Sequence, residues 1–99
     1  MLNIVKKLED DALTLELEGR LDTNAAGDLE KVLKDELDYI DSLVFDMEKL
    51  DYVSSAGLRV LLFALKSMKG RGEMKLIHVS EPIMEIFEVT GFSDILTIE

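Results

Sequence analysis

Leu50-Asp51-Tyr52-Val53-Ser54-Ser55-Ala56-Gly57-Leu58-Arg59-Val60-Leu61-Leu62 is the stretch on which the reading of this chain turns. It passes two adjacent hydroxyls and two residues with little or no side chain, and then becomes apolar around Arg59. That order marks the exit of a strand and the start of a helix. A serine at such a point caps the helix by accepting an amide two or three residues on. Ala56 and Gly57 let another backbone come close. Beyond them Leu58, Leu61, Leu62, Leu65 and Met68 recur at one helical face, and Val60, Phe63 and Ala64 widen the stripe. The pattern predicts a largely covered helix that stops at Gly70 and Gly72.

The flanking segments supply the rest of the fold. Leu43-Val44-Phe45 reads as a short strand buried on both sides. Before it, Leu29, Val32, Leu33 and Leu37 mark an amphipathic helix that Asp22, Thr23 or Asn24 caps. Leu13, Leu15 and Leu17 alternate with Thr14, Glu16 and Glu18, the period of a half-buried strand. Ile4 and Val5 belong to an earlier strand, joined to it through Glu9-Asp10-Asp11. Downstream, Met74 to Val79 reads as a strand in which His78 is structural. Ser80 and Pro82 open a helix that buries Ile83, Ile86 and Phe87 and ends at Gly91, and Ile95 to Ile98 forms a last strand. The order ββαβαβαβ implies an α/β domain. Its sheet is mixed and four- to five-stranded, with parallel neighbours joined by right-handed crossovers and an antiparallel hairpin at one edge. No linker, repeat or low-complexity run divides residues 1–99, so a single domain is expected.

Composition narrows the function. With 47% hydrophobic and 32% charged residues the chain is an ordinary globular one. It has no cysteine and one histidine, which excludes disulfides, thiolate metal sites and a cysteine nucleophile, and disfavours a histidine-centred triad. The net charge of -10 argues against nucleic acid as a partner. Residues 1–51 hold 15 acidic and 6 basic side chains, whereas Tyr52 to Gly72 holds Arg59, Lys66, Lys69 and Arg71 and no acid. Either a helix end is collecting cations or this segment has a separate task. No apolar run reaches the ~20 residues of a membrane span, and the N-terminus has no signal-peptide pattern, so a cytoplasmic protein is expected. Asp46 and Asp51 fall near one strand end but lack a converging third oxygen ligand, so no metal and no cofactor are expected. There is no phosphate-binding Gly-rich Lys-Ser/Thr loop and no evident general base, which disfavours a nucleotide hydrolase and any enzyme.

The serine pair has two readings, a helix cap or a phosphorylation site whose phosphate would meet first-turn amides. Arg59 is either an exposed helical arginine or a contact for a partner carboxylate or the phosphate. Asp22 is either only a cap or also part of a partner surface.

The segment resembles the signature of the bacterial anti-sigma-factor antagonists, small cytoplasmic members of the STAS domain family. That signature places an Asp or Ser, a Ser, and a Ser or Ala before Gly-Leu and an apolar helix, and it stands here as Ser54-Ser55-Ala56-Gly57-Leu58. Glu18-Gly19-Arg20-Leu21-Asp22 is similar to the family's Gly-x-Leu/Ile-Asp turn into the first helix. Spacing, length and element order agree from residue 1 to about 98. The resemblance implies that Ser55 accepts phosphate from a dedicated serine kinase that doubles as the anti-sigma factor. Ser55 is favoured by its alignment to Gly57; the position before the acceptor, often Asp in the family, is Ser54 here, which makes Ser54 the lesser alternative. Asp22, Thr23, Ser54, Ser55, Ala56, Gly57 and Arg59 would form the partner surface. The unphosphorylated form would bind the anti-sigma factor and release a sigma factor, phosphorylation would block binding, and a phosphatase would reset the protein, a monomer or weak dimer. The alternative is a constitutive STAS docking subunit of a transporter or larger signalling complex. One departure is that the family's final helix is absent.

Overall fold

The computed structural model describes residues 2–99. β1 (Leu2–Glu9) and β2 (Ala12–Leu21) form an antiparallel hairpin in which Glu9 pairs with Ala12. The two-residue turn puts Asp10 at φ 53, a left-handed conformation that aspartate tolerates. α1 (Thr23–Glu36) leads to β3 (Ser42–Val53), and α2 (Ser55–Met68) leads to β4 (Glu73–Ile77). β2, β3 and β4 run parallel, and the sheet order is β1-β2-β3-β4. α3 (Glu81–Thr90) follows β4 and ends at Gly91, which takes φ 83.

Register explains the core. Leu13, Leu43 and Met74 stand in one row across the three parallel strands, and Leu15, Phe45 and Leu76 in the next, all buried. Alternation puts both rows on one face. α1 covers that face with Ala25, Ala26, Leu29 and Leu33, and α2 with Leu58, Leu61, Ala64 and Met68. The two helices pack on each other, while α3 adds Ile83 and Phe87 to the same core. Thr14, Val44 and Lys75 stand in a row on the opposite face and are only half-buried. The expectation that Leu43-Val44-Phe45 is buried on both sides is therefore corrected: Val44 points away from the helices. A three-residue apolar run carries no information about which side is covered.

Two further expectations shift. β4 ends at Ile77, so His78 is not a strand residue; it lies just beyond, exposed, at φ 57. The final strand is present as one parallel bridge between Leu76 and Ile98, with Leu76 N–H donating to Thr97 and Glu99 N–H donating to Leu76 at 2.9 Å each. A 3-10 turn takes up Phe92–Asp94 and Leu96 turns into the core, which leaves too few residues for a ladder. The sheet thus has four full strands, and ββαβαβαβ describes the chain with its last element reduced to a bridge.

β3 is the long member. It pairs with β4 only as far as Asp46 but follows β2 to Val53, with register shifts between Glu16 and Glu18 and between Gly19 and Arg20. β2 and β3 therefore run on together past the end of β4 and deliver their last residues side by side. At the other end of the sheet, a Cβ on Gly72 would lie 1.7 Å from the Asp41 carbonyl oxygen, so the entry to β4 is glycine because the segment leading into β3 passes against it.

Phe45 is fully buried at the centre of the sheet, so Phe45→Ala is expected to cost about 3–5 kcal/mol. A urea titration checks this: the midpoint should fall while the slope stays unchanged.

Candidate functional site

The paired strand ends start two helices next to each other. Leu21 pairs with Val53, and the Ser54 N–H donates to the Leu21 carbonyl at 2.9 Å. From the end of β2, Asp22 caps α1, its Oδ1 accepting from Ala25 N–H at 2.9 Å. From the end of β3, Ser54 caps α2, its Oγ accepting from Gly57 N–H at 3.1 Å. Both caps have extended backbones, as a residue half outside a helix requires. Gly57 is held against the end of β2: a Cβ there would come within 2.8 Å of Leu21 Cγ and 3.0 Å of its carbonyl oxygen.

The two serines consequently have different surroundings. Ser54 is 8% exposed and committed to its cap. Ser55 is the first residue of α2 and exposed, and its hydroxyl has no protein partner among the described residues. Of the other residues singled out from sequence, Asp22 is half-buried and holds a cap, while Thr23 and Arg59 are exposed. Ala56 is half-buried and Gly57 is buried. Thr23, Ala26, Gly27, Ala56 and Arg59 border a shallow groove between the first turns of α1 and α2. Sequence reasoning left out one pair at this end of the sheet. Arg20 and Tyr52 are register partners on β2 and β3, and the Arg20 guanidinium stacks 4.3 Å from the Tyr52 ring centroid.

An apolar recess lies along the C-terminal half of α2, between Leu62, Leu65, Met68, Met74 and Ile95. Among the described residues one trio could converge on a metal: the donor atoms of Asp46, Glu48 and His78 all lie within 4.8 Å of one another. Asp51, paired with Asp46 from sequence, is not part of it. In this structure the trio is closed by hydrogen bonding. His78 Nδ1 lies 3.0 Å from Asp46 Oδ1 and 3.8 Å from Glu48 Oε1, and Glu48 N–H donates to Asp46 at 3.1 Å. The Asp46 hydrogen bond holds the His78 pKa above its ordinary value of 6.5. Partial burial works to raise that of Asp46, but the bonds from His78 and the Glu48 amide outweigh it and keep the carboxyl below its ordinary 3.8.

The STAS domain family model matches residues 3–99, and the chain belongs to that family. It is 35% identical over 91 residues to BtrV of Bordetella bronchiseptica, provisionally assigned as an anti-sigma factor antagonist; the match covers 90% of this chain and 78% of that one. Over 99 residues it is 29% identical to the anti-sigma-B factor antagonist of Listeria monocytogenes, covering 96% and 85% of the two chains. The fold is that of SpoIIAA, an anti-sigma factor antagonist solved in unphosphorylated and phosphorylated forms. The TM-scores are 0.78 and 0.77 at 14% and 15% identity, with 100% of this chain and 87% and 91% of those chains covered.

The cap geometry separates the serines in stability. Ser54→Ala is expected to cost about 1 kcal/mol, the usual loss of a cap, and Ser55→Ala to stay within about 0.5 kcal/mol of wild type, as an exposed substitution does. Chemical denaturation of both variants checks this. For the imidazole pair the sign follows from the two shifts. Its contribution is present from above Asp46's ordinary 3.8 to below His78's ordinary 6.5. It is lost as pH rises through the raised His78 value and as pH falls through the lowered Asp46 value. An NMR titration should show His78 titrating above 6.5 and returning toward it in Asp46→Asn.

Proposed function

We propose that this chain is an anti-sigma factor antagonist. In its unphosphorylated form it captures an anti-sigma factor that is also a serine kinase, so a sigma factor is released. Phosphorylation of Ser55 ends the capture, and a phosphatase resets it. The observation that carries this reading is the split between the serines: Ser54 has its oxygen in the cap, and Ser55 presents a free hydroxyl at the start of α2. The names of the relatives support the same reading. The domain acts as a binding module and not as a catalyst. Among the described residues no side chain hydrogen-bonds the Ser55 hydroxyl, and the one imidazole of the chain, His78, is engaged by Asp46. Among the described residues no helix is long and apolar enough to cross a membrane.

Magnitudes decide how the switch works. A phosphate adds about -1.5 to -2 charges. At an exposed helix N-terminus an anion is worth roughly 0.3–1 kcal/mol, and its sign is stabilising. Inverting a two-state equilibrium from 1:99 to 99:1 takes about 5.5 kcal/mol. The phosphate therefore does not work by remodelling this domain. An unpaired or like charge forced into an interface costs about 2–5 kcal/mol, enough to dissolve a sub-micromolar complex. The switch is a steric and electrostatic block at the partner face.

Intact-mass measurement after incubation with ATP and the anti-sigma factor kinase of the same organism tests the acceptor. One phosphate is expected on wild type and on Ser54→Ala, and none on Ser55→Ala; a phosphate retained by Ser55→Ala overturns the assignment. Ser55→Asp should weaken kinase binding by about 30-fold or more. Binding indifferent to that change would instead indicate constitutive docking.

A further inference from the structure

We propose that the recess beside the C-terminal half of α2 is where a second copy of this chain docks, and that α3 of that copy enters it. The recess measures about 500 Å³. Its wall is Leu62, Leu65, Met74 and Ile95, and its charged border is Lys66 and Lys69. Ile95 is 49% exposed there. Among the described residues no acidic side chain borders it, although the chain holds 21. Glu73 and Glu99 border the adjoining groove, where Lys75 lies 3.4 Å from Glu99. An apolar opening rimmed by charge is the form of an association site. This one fits an occupant that brings an apolar side chain together with carboxylates.

The chain owns such a surface. Glu81, Glu85 and Glu88 recur at i, i+4 and i+7 of α3, and Val89 falls beside them. All four are exposed, and Val89, at 85%, is the most exposed large apolar side chain among the described residues. Ile83 and Phe87 hold the opposite face of α3 in the core, which turns this one outward. α3 carries no base, and none of its glutamates forms an ion pair among the described residues. Within one chain the two surfaces do not meet. α3 packs on β3 and on the Phe92–Asp94 turn, and none of its residues borders the recess.

Between two copies they can meet twice. A two-fold axis lets each α3 lay Val89 into the other chain's recess, with Glu85 and Glu88 facing Lys66 and Lys69. The two pairs have the same spacing, i and i+3 along their helices. Charge sets the register, while Val89 and Ile95 supply the apolar contact. One valine per recess and a net charge of -10 on each chain keep the dimer weak and concentration-dependent. Ser55 begins α2, so the acceptor and the dimer contact lie at opposite ends of that helix.

Sedimentation velocity from micromolar to millimolar concentration tests this. Wild type is expected to move from monomer towards dimer as concentration rises. Val89→Glu and Ile95→Glu should each weaken dimerisation by about tenfold or more. So should the paired reversals Lys66→Glu with Lys69→Glu, and Glu85→Lys with Glu88→Lys. All four reversals in one chain should restore dimerisation, which no purely structural role of these side chains would do. Leu8→Glu, at a position 55% exposed on β1, should dimerise as wild type does. Circular dichroism melts establish that the variants fold. A wild type that stays monomeric at millimolar concentration overturns the proposal and leaves the recess to a helix of another protein. Dimerisation lost in Ile95→Glu but kept in Val89→Glu overturns the choice of α3. Loss in Leu8→Glu alone places the contact on the hairpin, and a monomeric four-substitution variant overturns the charge pairing.

Discussion

Gly57 lies against Leu21 with no room for a side chain between them, and Ser54 is tied to the same Leu21 carbonyl. This seam between the end of β2 and the first turn of α2 is the constraint on which the site depends. It sets where α2 begins, and so which serine caps the helix and which is left facing outward. It also brings the start of α1 alongside, because Asp22 follows Leu21 directly and caps that helix. Small residues at Ala56 and Gly57 thus serve the close approach of two backbones.

A division of labour follows from it. The cap satisfies an amide that would otherwise lack a partner, so the fold needs an oxygen at position 54. The hydroxyl at position 55, by contrast, is exposed and makes no hydrogen bond among the described residues. Most acidic side chains are spread over the first half of the chain.

Much of this was legible in the sequence, and the exceptions have physical reasons. Period-two alternation at Leu13, Leu15 and Leu17 and the helical stripe from Leu58 to Met68 each report the covered side of one element, and the structure keeps both. Val44 was misread because a short apolar run does not say how many sides are covered. His78 was placed within a strand, and its partner Asp46 lies 32 residues away on the neighbouring one. The tail was read as a strand because its residues suit one, yet Leu96 enters the core and leaves a single bridge. Arg20 and Tyr52 meet only through a parallel register with two shifts, which no spacing rule reveals.

By itself the sequence determined the order of elements, the two helix starts after Leu21 and Val53, and the family to which that order and those starts belong. These are local properties: periodicity, caps and glycines act over a few neighbouring residues. Only the tertiary structure decided which of two identical neighbouring side chains is consumed by the fold and which is free. That choice depends on where α2 starts to within one residue, and the contact of Gly57 with Leu21, from a strand far away in the chain, sets it.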